Sequence, residues 1–191
     1  LFWNDRGPFT GEVSGFDLEE IGCRYVEVGH AERRRMFGED DETVARKTAA
    51  ALRNGLTPVL CVGETDRVVP AVAARLCIEQ LQAALGVAER DGVAGPLVVA
   101  YEPEWAIGAE ASASPVHIRE VCAVMTAWLK EHPLVASSRV IYGGSAGPGL
   151  LTVLGDSIDG LFLGRFAHDT ASLERVLDEA RAHARDDRRR R

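Results

Sequence analysis

Short apolar runs alternate along this chain with longer stretches in which apolar residues recur every three or four positions. The runs are Tyr25-Val26-Glu27-Val28, Thr57 to Val62, Leu97 to Tyr101, Val140-Ile141-Tyr142 and Gly160 to Leu163. Leu97-Val98-Val99-Ala100-Tyr101 is apolar on both alternations, the pattern of a parallel strand covered on both faces. Between the runs the spacing predicts helices. Phe16 to Ile21 is a short one ended at Gly22, a polar one follows from Ala31, and Glu39-Asp40-Asp41-Glu42 opens another that Asn54-Gly55 closes. Pro70 starts a helix carrying Val72, Leu76, Leu81 and Leu85, with Gly86 as its stop. Ser114-Pro115 caps one with Val121, Val124, Met125 and Trp128 on one face, Gly149 to Leu154 is short, and Leu173, Val176, Leu177 and Ala180 mark the last. Residues 1–15 show turn chemistry and no period.

Strict alternation of this kind predicts an α/β fold with a parallel sheet and right-handed crossovers. Five strands suit an open doubly wound sheet, but polar residues stand at nearly every strand end, as in a barrel whose loops converge. The barrel is the preferred reading, with the open sheet as the alternative.

Composition narrows the classes. With 191 residues, 46% hydrophobic and 27% charged, the chain suits one globular domain. A net charge of −7 argues against nucleic acid as a partner, and no apolar run approaches the ~20 residues of a membrane span. Cys23, Cys61, Cys77 and Cys122 form no CxxC pair and sit in apolar patterns, so they read as buried thiols of a reducing, cytoplasmic compartment with no metal. The basic run Arg188 to Arg191 makes residues 185–191 a frayed tail.

Two strand ends carry candidate chemistry. Glu102 ends the Leu97–Tyr101 strand, and Pro103 to Ile107 follows as a mostly apolar loop with a pivot at Gly108, the composition of a lid. His30 stands at another strand end and at a helix start, where the helix dipole disfavours the imidazolium. Alone, such a histidine is a structural hydrogen-bonder, and Glu32 with Arg33 is a loop ion pair. A carboxylate base facing a neutral imidazole is nonetheless the equipment for moving a proton between carbons next to a carbonyl. Tyr142-Gly143-Gly144-Ser145 and Leu163-Gly164-Arg165 add glycine turns on the last two strands, whose backbone N–H groups form a phosphate cradle.

Gly29-His30-Ala31-Glu32-Arg33-Arg34, Cys61-Val62-Gly63-Glu64, Tyr101 to Gly108, Tyr142-Gly143-Gly144-Ser145 and Asp159 to Gly164 together resemble the signature segments of the triosephosphate isomerase family, in its order and at similar spacing. The resemblance implies a (β/α)8 TIM barrel, one domain over residues 1–191, of which this chain supplies the last five units. It implies Glu102 as the proton-shuttling base, His30 as the neutral electrophile and Glu32 as their support, with Arg33. Pro103, Glu104, Trp105, Ala106 and Ile107 become the lid, and Gly108, Ser145, Gly164 and Arg165 the phosphate holders. No cofactor is implied. The partner is a small phosphorylated sugar, and Phe9-Thr10-Gly11-Glu12 resembles the segment through which the family forms homodimers.

Some family features are missing. Its first strand ends in an Asn and a Lys that reach the substrate, whereas Lys47 and Lys130 are this chain's only lysines and both fall in helix patterns. The expectation is that roughly 60 to 70 residues precede Leu1 in the natural protein, from the ~250 typical of this barrel. Gly164-Arg165 replaces two glycines, Glu104 takes a usually apolar lid position, and the Asp159–Ala167 segment looks closer to the family's tetrulose-phosphate isomerases. Arg165 either adds a charged contact to the phosphate or points into solvent. The leading reading is a glycolytic or gluconeogenic isomerase of glyceraldehyde 3-phosphate and dihydroxyacetone phosphate. The alternatives are a tetrulose-phosphate isomerase and a catalytically silent barrel that binds phosphometabolites or serves assembly.

Overall fold

Each of the five apolar runs becomes a strand: β1 (Tyr25–Val28), β2 (Thr57–Val62), β3 (Val98–Tyr101), β4 (Arg139–Tyr142) and β5 (Gly160–Leu161). The computed structural model describes residues 1–190, with side chains as far as residue 184. All neighbouring strands pair in parallel, in the order β1-β2-β3-β4-β5. A doubly wound sheet reverses its strand order part way. Sequential order without reversal is instead the arc of a (β/α) barrel, which decides between the two architectures the sequence left open. The frayed tail expected over 185–191 lies outside the fully described residues.

The helices are α1 (Gly15–Glu20), α2 (Ala31–Phe37), α3 (Asp41–Arg53), α4 (Pro70–Asp91), α5 (Pro115–Glu131), α6 (Leu150–Leu154) and α7 (Thr170–Arg190). Side-chain caps explain several starts. Asp40 accepts the Thr43 N–H at 2.8 Å and Ser114 the His117 N–H at 3.3 Å. α4 does not stop at Gly86 but runs on to Gly92, which closes it at φ 66°. A glycine inside a helix costs about 1 kcal/mol, and burial of Leu81, Ala84, Leu85 and Ala88 on the inner face of the same helix outweighs it. Length and composition alone would let α4 cross a membrane, with a mean hydropathy of 1.2, contrary to the expectation that no stretch qualifies. Its apolar side is accounted for by packing between α3 and α5 over the sheet.

In α5 the buried stripe runs Ile118, Val121, Cys122, Met125 and Leu129, which leaves Val124 on the outer side at 47% exposure, against the sequence pattern. β5 is shorter than expected. Leu163 leaves the sheet after the Phe162 N–H pairs with the Tyr142 carbonyl, and the chain turns into a 3-10 helix over Arg165–Ala167. Cys61, Cys77 and Cys122 are buried, whereas Cys23 is half-buried in the turn before β1. Residues 1–15 are pinned to the end of α3, where Arg53 donates to Asp5 and to the Trp3 carbonyl and Asn54 donates to Asp5 at 2.8 Å.

Candidate active site

Parallel strands bring their C-terminal ends to one side of the sheet, and the candidate residues meet there. Gly29 turns the chain at φ 75° just after β1. His30 then caps α2, its Nδ1 accepting the Glu32 N–H at 3.2 Å. A ring nitrogen that accepts carries no hydrogen, so the proton of this imidazole sits on Nε2. That nitrogen lies 3.7 Å from Glu102 Oε2. The pairing spans three strands, from the end of β1 to the end of β3.

Glu102 is only 6% exposed, and its Oε2 has no hydrogen-bond partner. Burial pushes its carboxyl above the ordinary carboxylate range, with the His30 ring and a Cys61 hydrogen bond working in the opposite direction. Two glycines make room for it. A Cβ on Gly63 would stand 2.0 Å from the Glu102 carbonyl oxygen, and one on Gly143 would stand 2.6 Å from Glu102 Cγ. Gly63 is itself clamped by Gln80, which accepts its N–H at 2.8 Å and donates to its carbonyl at 2.9 Å. Because the Gly143 clash is with a side chain and not with backbone, Gly143→Ala is expected to displace the carboxylate with modest loss of stability. Turnover should fall by about 10²-fold, the cost of a misplaced reacting group, and a variant with wild-type kcat would show that the position of Glu102 does not matter.

Beyond Glu102 the lid begins as a 3-10 helix over Glu104–Ala106. Its anchor is Glu64, fully buried beside the end of β2. Trp105 Nε1 donates to Glu64 Oε1 at 2.9 Å, and the Tyr101 hydroxyl lies 3.1 and 3.2 Å from the two Glu64 oxygens and 2.8 Å from His117 Nε2. The Glu104 N–H donates to the Glu64 carbonyl while its side chain stays exposed.

A cleft of about 670 Å³ opens over the pair. His30, Glu32, Arg33, Glu102, Ile107, Gly108, Gly143, Ser145, Gly164 and Arg165 all line it. Pro103, Trp105 and Ala106 do not, and Glu104 faces a separate small crevice beside Gly63 and Gln80. Arg33 pairs with Glu39 and not with Glu32. Glu39 is buried, and although burial works upward on its carboxyl, hydrogen bonds from Lys47 and Arg33 outweigh it and hold the group below its usual range. Lys47 is thereby committed to Glu39 inside the α2–α3 corner, away from the cleft. Among the described residues no cluster of three or more His, Cys, Asp or Glu is arranged to hold a metal ion.

Ser145 is the sole non-glycine residue at positive φ among those described, at 55°. Its hydroxyl donates to the Ala109 carbonyl at 2.6 Å. Arg165 is exposed without pointing away, because its guanidinium donates to the carbonyls of Gly108 and Ala109 and to Ser145 Oγ. Sequence reasoning gave no role to Glu64, Gln80, Tyr101 or His117. A Gly-Glu pair closing β2 was the one available signal, since it repeats the strand-end carboxylate of β3.

Known proteins resemble this chain over most of its length. A family model described as triosephosphate isomerase matches residues 1–180. The chain is 59% identical over 180 residues to an L-erythrulose-1-phosphate isomerase of Pectobacterium atrosepticum, covering 94% of this chain and 70% of that protein. It is 46% identical to a triosephosphate isomerase of Azoarcus sp., covering 84% and 67%. A solved triosephosphate isomerase from Bartonella henselae superposes with a TM-score of 0.75 at 29% identity, covering 94% of this chain and 73% of that one.

Proposed function

The chain belongs to the triosephosphate isomerase family, and from that premise we propose a cofactor-independent isomerase that takes a tetrulose 1-phosphate, with the triose phosphate pair as the second reading. The observation that carries the chemistry is the approach of an unpartnered, buried carboxylate oxygen to an imidazole whose hydrogen is fixed on the facing nitrogen, 3.7 Å away. Glu102 removes a proton from the carbon beside the substrate carbonyl. His30 gives its Nε2–H to the carbonyl oxygen as negative charge builds there and takes back the proton of the neighbouring hydroxyl, which becomes the new carbonyl, while Glu102 returns its proton to the former carbonyl carbon. The phosphate lies at the other end of the cleft, against Gly108, Ser145, Gly164 and Arg165, and Glu32 supports His30 through its N–H. Closure of the lid from Pro103 to Ile107 excludes water from the intermediate.

The identity of 59% with an erythrulose-1-phosphate isomerase, beside 46% with a triosephosphate isomerase, supports taking the tetrulose first, ahead of the triose pair that leads on sequence. The chemistry is compatible with either. A tetrulose 1-phosphate keeps the phosphate, methylene and carbonyl of dihydroxyacetone phosphate and adds a hydroxymethyl to the carbon that loses the proton. The added atoms fall at the Glu102 end, leaving the phosphate contacts alone. Side-by-side assays should give a kcat/KM preference for the tetrulose of about tenfold or more, as expected for one recognised carbon unit. Equal or reversed preference would make the triose pair the substrate.

A silent binding barrel is the weaker reading, because neither Glu104 nor Arg165 disturbs the Glu102–His30 pair. Free cysteines support a reducing cytoplasm. A homodimer through the exposed Thr10–Glu12 tip of the Phe9–Glu12 loop is proposed on family likeness, and the sedimentation coefficient of the whole protein tests it.

A further inference from the structure

Glu27 interrupts the run Tyr25-Val26-Glu27-Val28 of β1 with a charge. Strands favour β-branched and aromatic residues, so a carboxylate in the middle of one needs a polar surface to look onto. The register shows which surface that is. Glu27 pairs with Val59 and Val59 with Val98, and from Val98 the same face continues through Ala100 to Glu102, because side chains alternate along a strand. The next row, Val28, Leu60, Val99 and Val140, points the other way and is buried under the helices. Glu27 therefore stands on the sheet face that carries the base, and it lines the same cleft as His30 and Glu102. It is exposed there, and among the described residues no hydrogen bond or ion pair engages its carboxylate. Burial is the main force raising the Glu102 carboxyl and the Cys61 thiol, and the Glu27 charge adds to both, so its field reaches the place where the proton moves. Besides Glu102, the lining holds one other carboxylate, Glu32, which belongs to α2 and not to the sheet face.

We propose that Glu27 is the residue that selects the four-carbon substrate: its carboxylate accepts a hydrogen bond from the hydroxyl of the extra hydroxymethyl group of a tetrulose 1-phosphate. The proposal rests on the tetrulose reading given above. Gly108, Ser145, Gly164 and Arg165 bound the cleft on the side of the lid and of the loops after β4 and β5, whereas Glu27 bounds it on β1, three residues before His30. A substrate with its phosphate on the first side and its reacting carbons between His30 and Glu102 sends the added carbon toward β1. An ionised carboxylate can only accept, and a terminal hydroxyl can donate to it in a charge-assisted bond. A triose phosphate has no atom at that end. It covers Glu27 without replacing the water that the carboxylate loses, so one side chain draws the longer substrate and disfavours the shorter.

Paired kcat/KM values for L-erythrulose 1-phosphate and dihydroxyacetone phosphate, measured on the whole protein, test this. Glu27→Val removes the acceptor and suits a strand, and it should lower the tetrulose-to-triose ratio by about 30-fold, the loss of one hydrogen bond to a charged group. Glu27→Gln has the same size and keeps an acceptor oxygen without its charge, so the ratio should fall by about three- to tenfold. Damage to the fold or to the base lowers both rates and cancels in the ratio. A wild type that prefers the tetrulose, with a ratio unchanged in both variants, would overturn the role of Glu27 and leave the proposed substrate standing. A common fall in both rates with a lower Tm would mark Glu27 as a structural carboxylate and overturn the role in the same way. A wild type without the tetrulose preference would overturn the substrate reading, and this acceptor with it.

Discussion

Glu102→Gln is expected to lower kcat by about 10³-fold or more while the protein stays folded. The amide keeps the size of the side chain and removes the basic oxygen, and proton transfer by a positioned group supplies about 10² to 10⁴ in rate. The fold has no need of the carboxylate. Its Oε2 makes no hydrogen bond, and burial raises its proton affinity, so ionising it in the folded state costs stability. The sign follows from linkage. A carboxyl whose folded pKa lies above the unfolded value of about 4.3 contributes stability that is complete below that value and is lost as pH rises through the folded one. Thermal unfolding should therefore find Glu102→Gln at least as stable as wild type at pH 8, with the difference shrinking as pH falls toward 4. The same shift places the acidic limb of kcat/KM above the range of an ordinary carboxylate. A Glu102→Gln enzyme with near wild-type turnover, or a limb at ordinary carboxylate pH, would remove Glu102 as the base.

Gly63→Ala carries the largest expected effect on stability. The added methyl would lie 2.0 Å from the Glu102 carbonyl oxygen and 2.5 Å from its carbon, both backbone atoms of the adjoining strand end. Neither loop can yield easily, because Gln80 clamps Gly63 on one side and the Glu102 N–H is bonded to the Val62 carbonyl at 2.8 Å on the other. Overpacking of this kind costs about 3 kcal/mol, which in a domain of this size lowers Tm by roughly 6 to 12 °C. Activity should fall with it, since the strand end that moves is the one presenting the base. Gly86→Ala is the control. A Cβ there meets nothing within 4 Å, and in the interior of α4 it should raise stability by about 1 kcal/mol. Equal melting temperatures for the two variants would show that the close approach at Gly63 is not a constraint.

Much of the frame was legible because it rests on local rules. Apolar runs doubly covered by helices read as parallel strands, and caps such as Asp40 and Ser114 mark helix starts by chemistry within four residues. Where tertiary burial competed with a local signal, the local signal lost. Gly86 is the clearest case, since the core face of α4 continued past it. Val124 shows the same limit at finer scale, because periodicity gives the width of an apolar stripe while the neighbouring elements decide its centre. The meeting of Glu64, Tyr101, Trp105 and His117 left no sequence pattern beyond the Gly-Glu pair closing β2, as its members come from β2, β3, the lid and α5.

What the sequence determined by itself was the alternation of strands and helices, the strand-end placement of His30 and Glu102, and the glycines at the ends of β2 and β4. Those follow from residue type and nearest neighbours along the chain. Only the tertiary structure decided that the strands run in unbroken order, that His30 and Glu102 face each other across three strands, that Lys47 is spent on Glu39, and that Arg165 grips the lid and does not point away. Each of these is a meeting of residues far apart in sequence. It depends on strand order, twist and the space left by Gly63 and Gly143, quantities that no window of neighbouring residues contains.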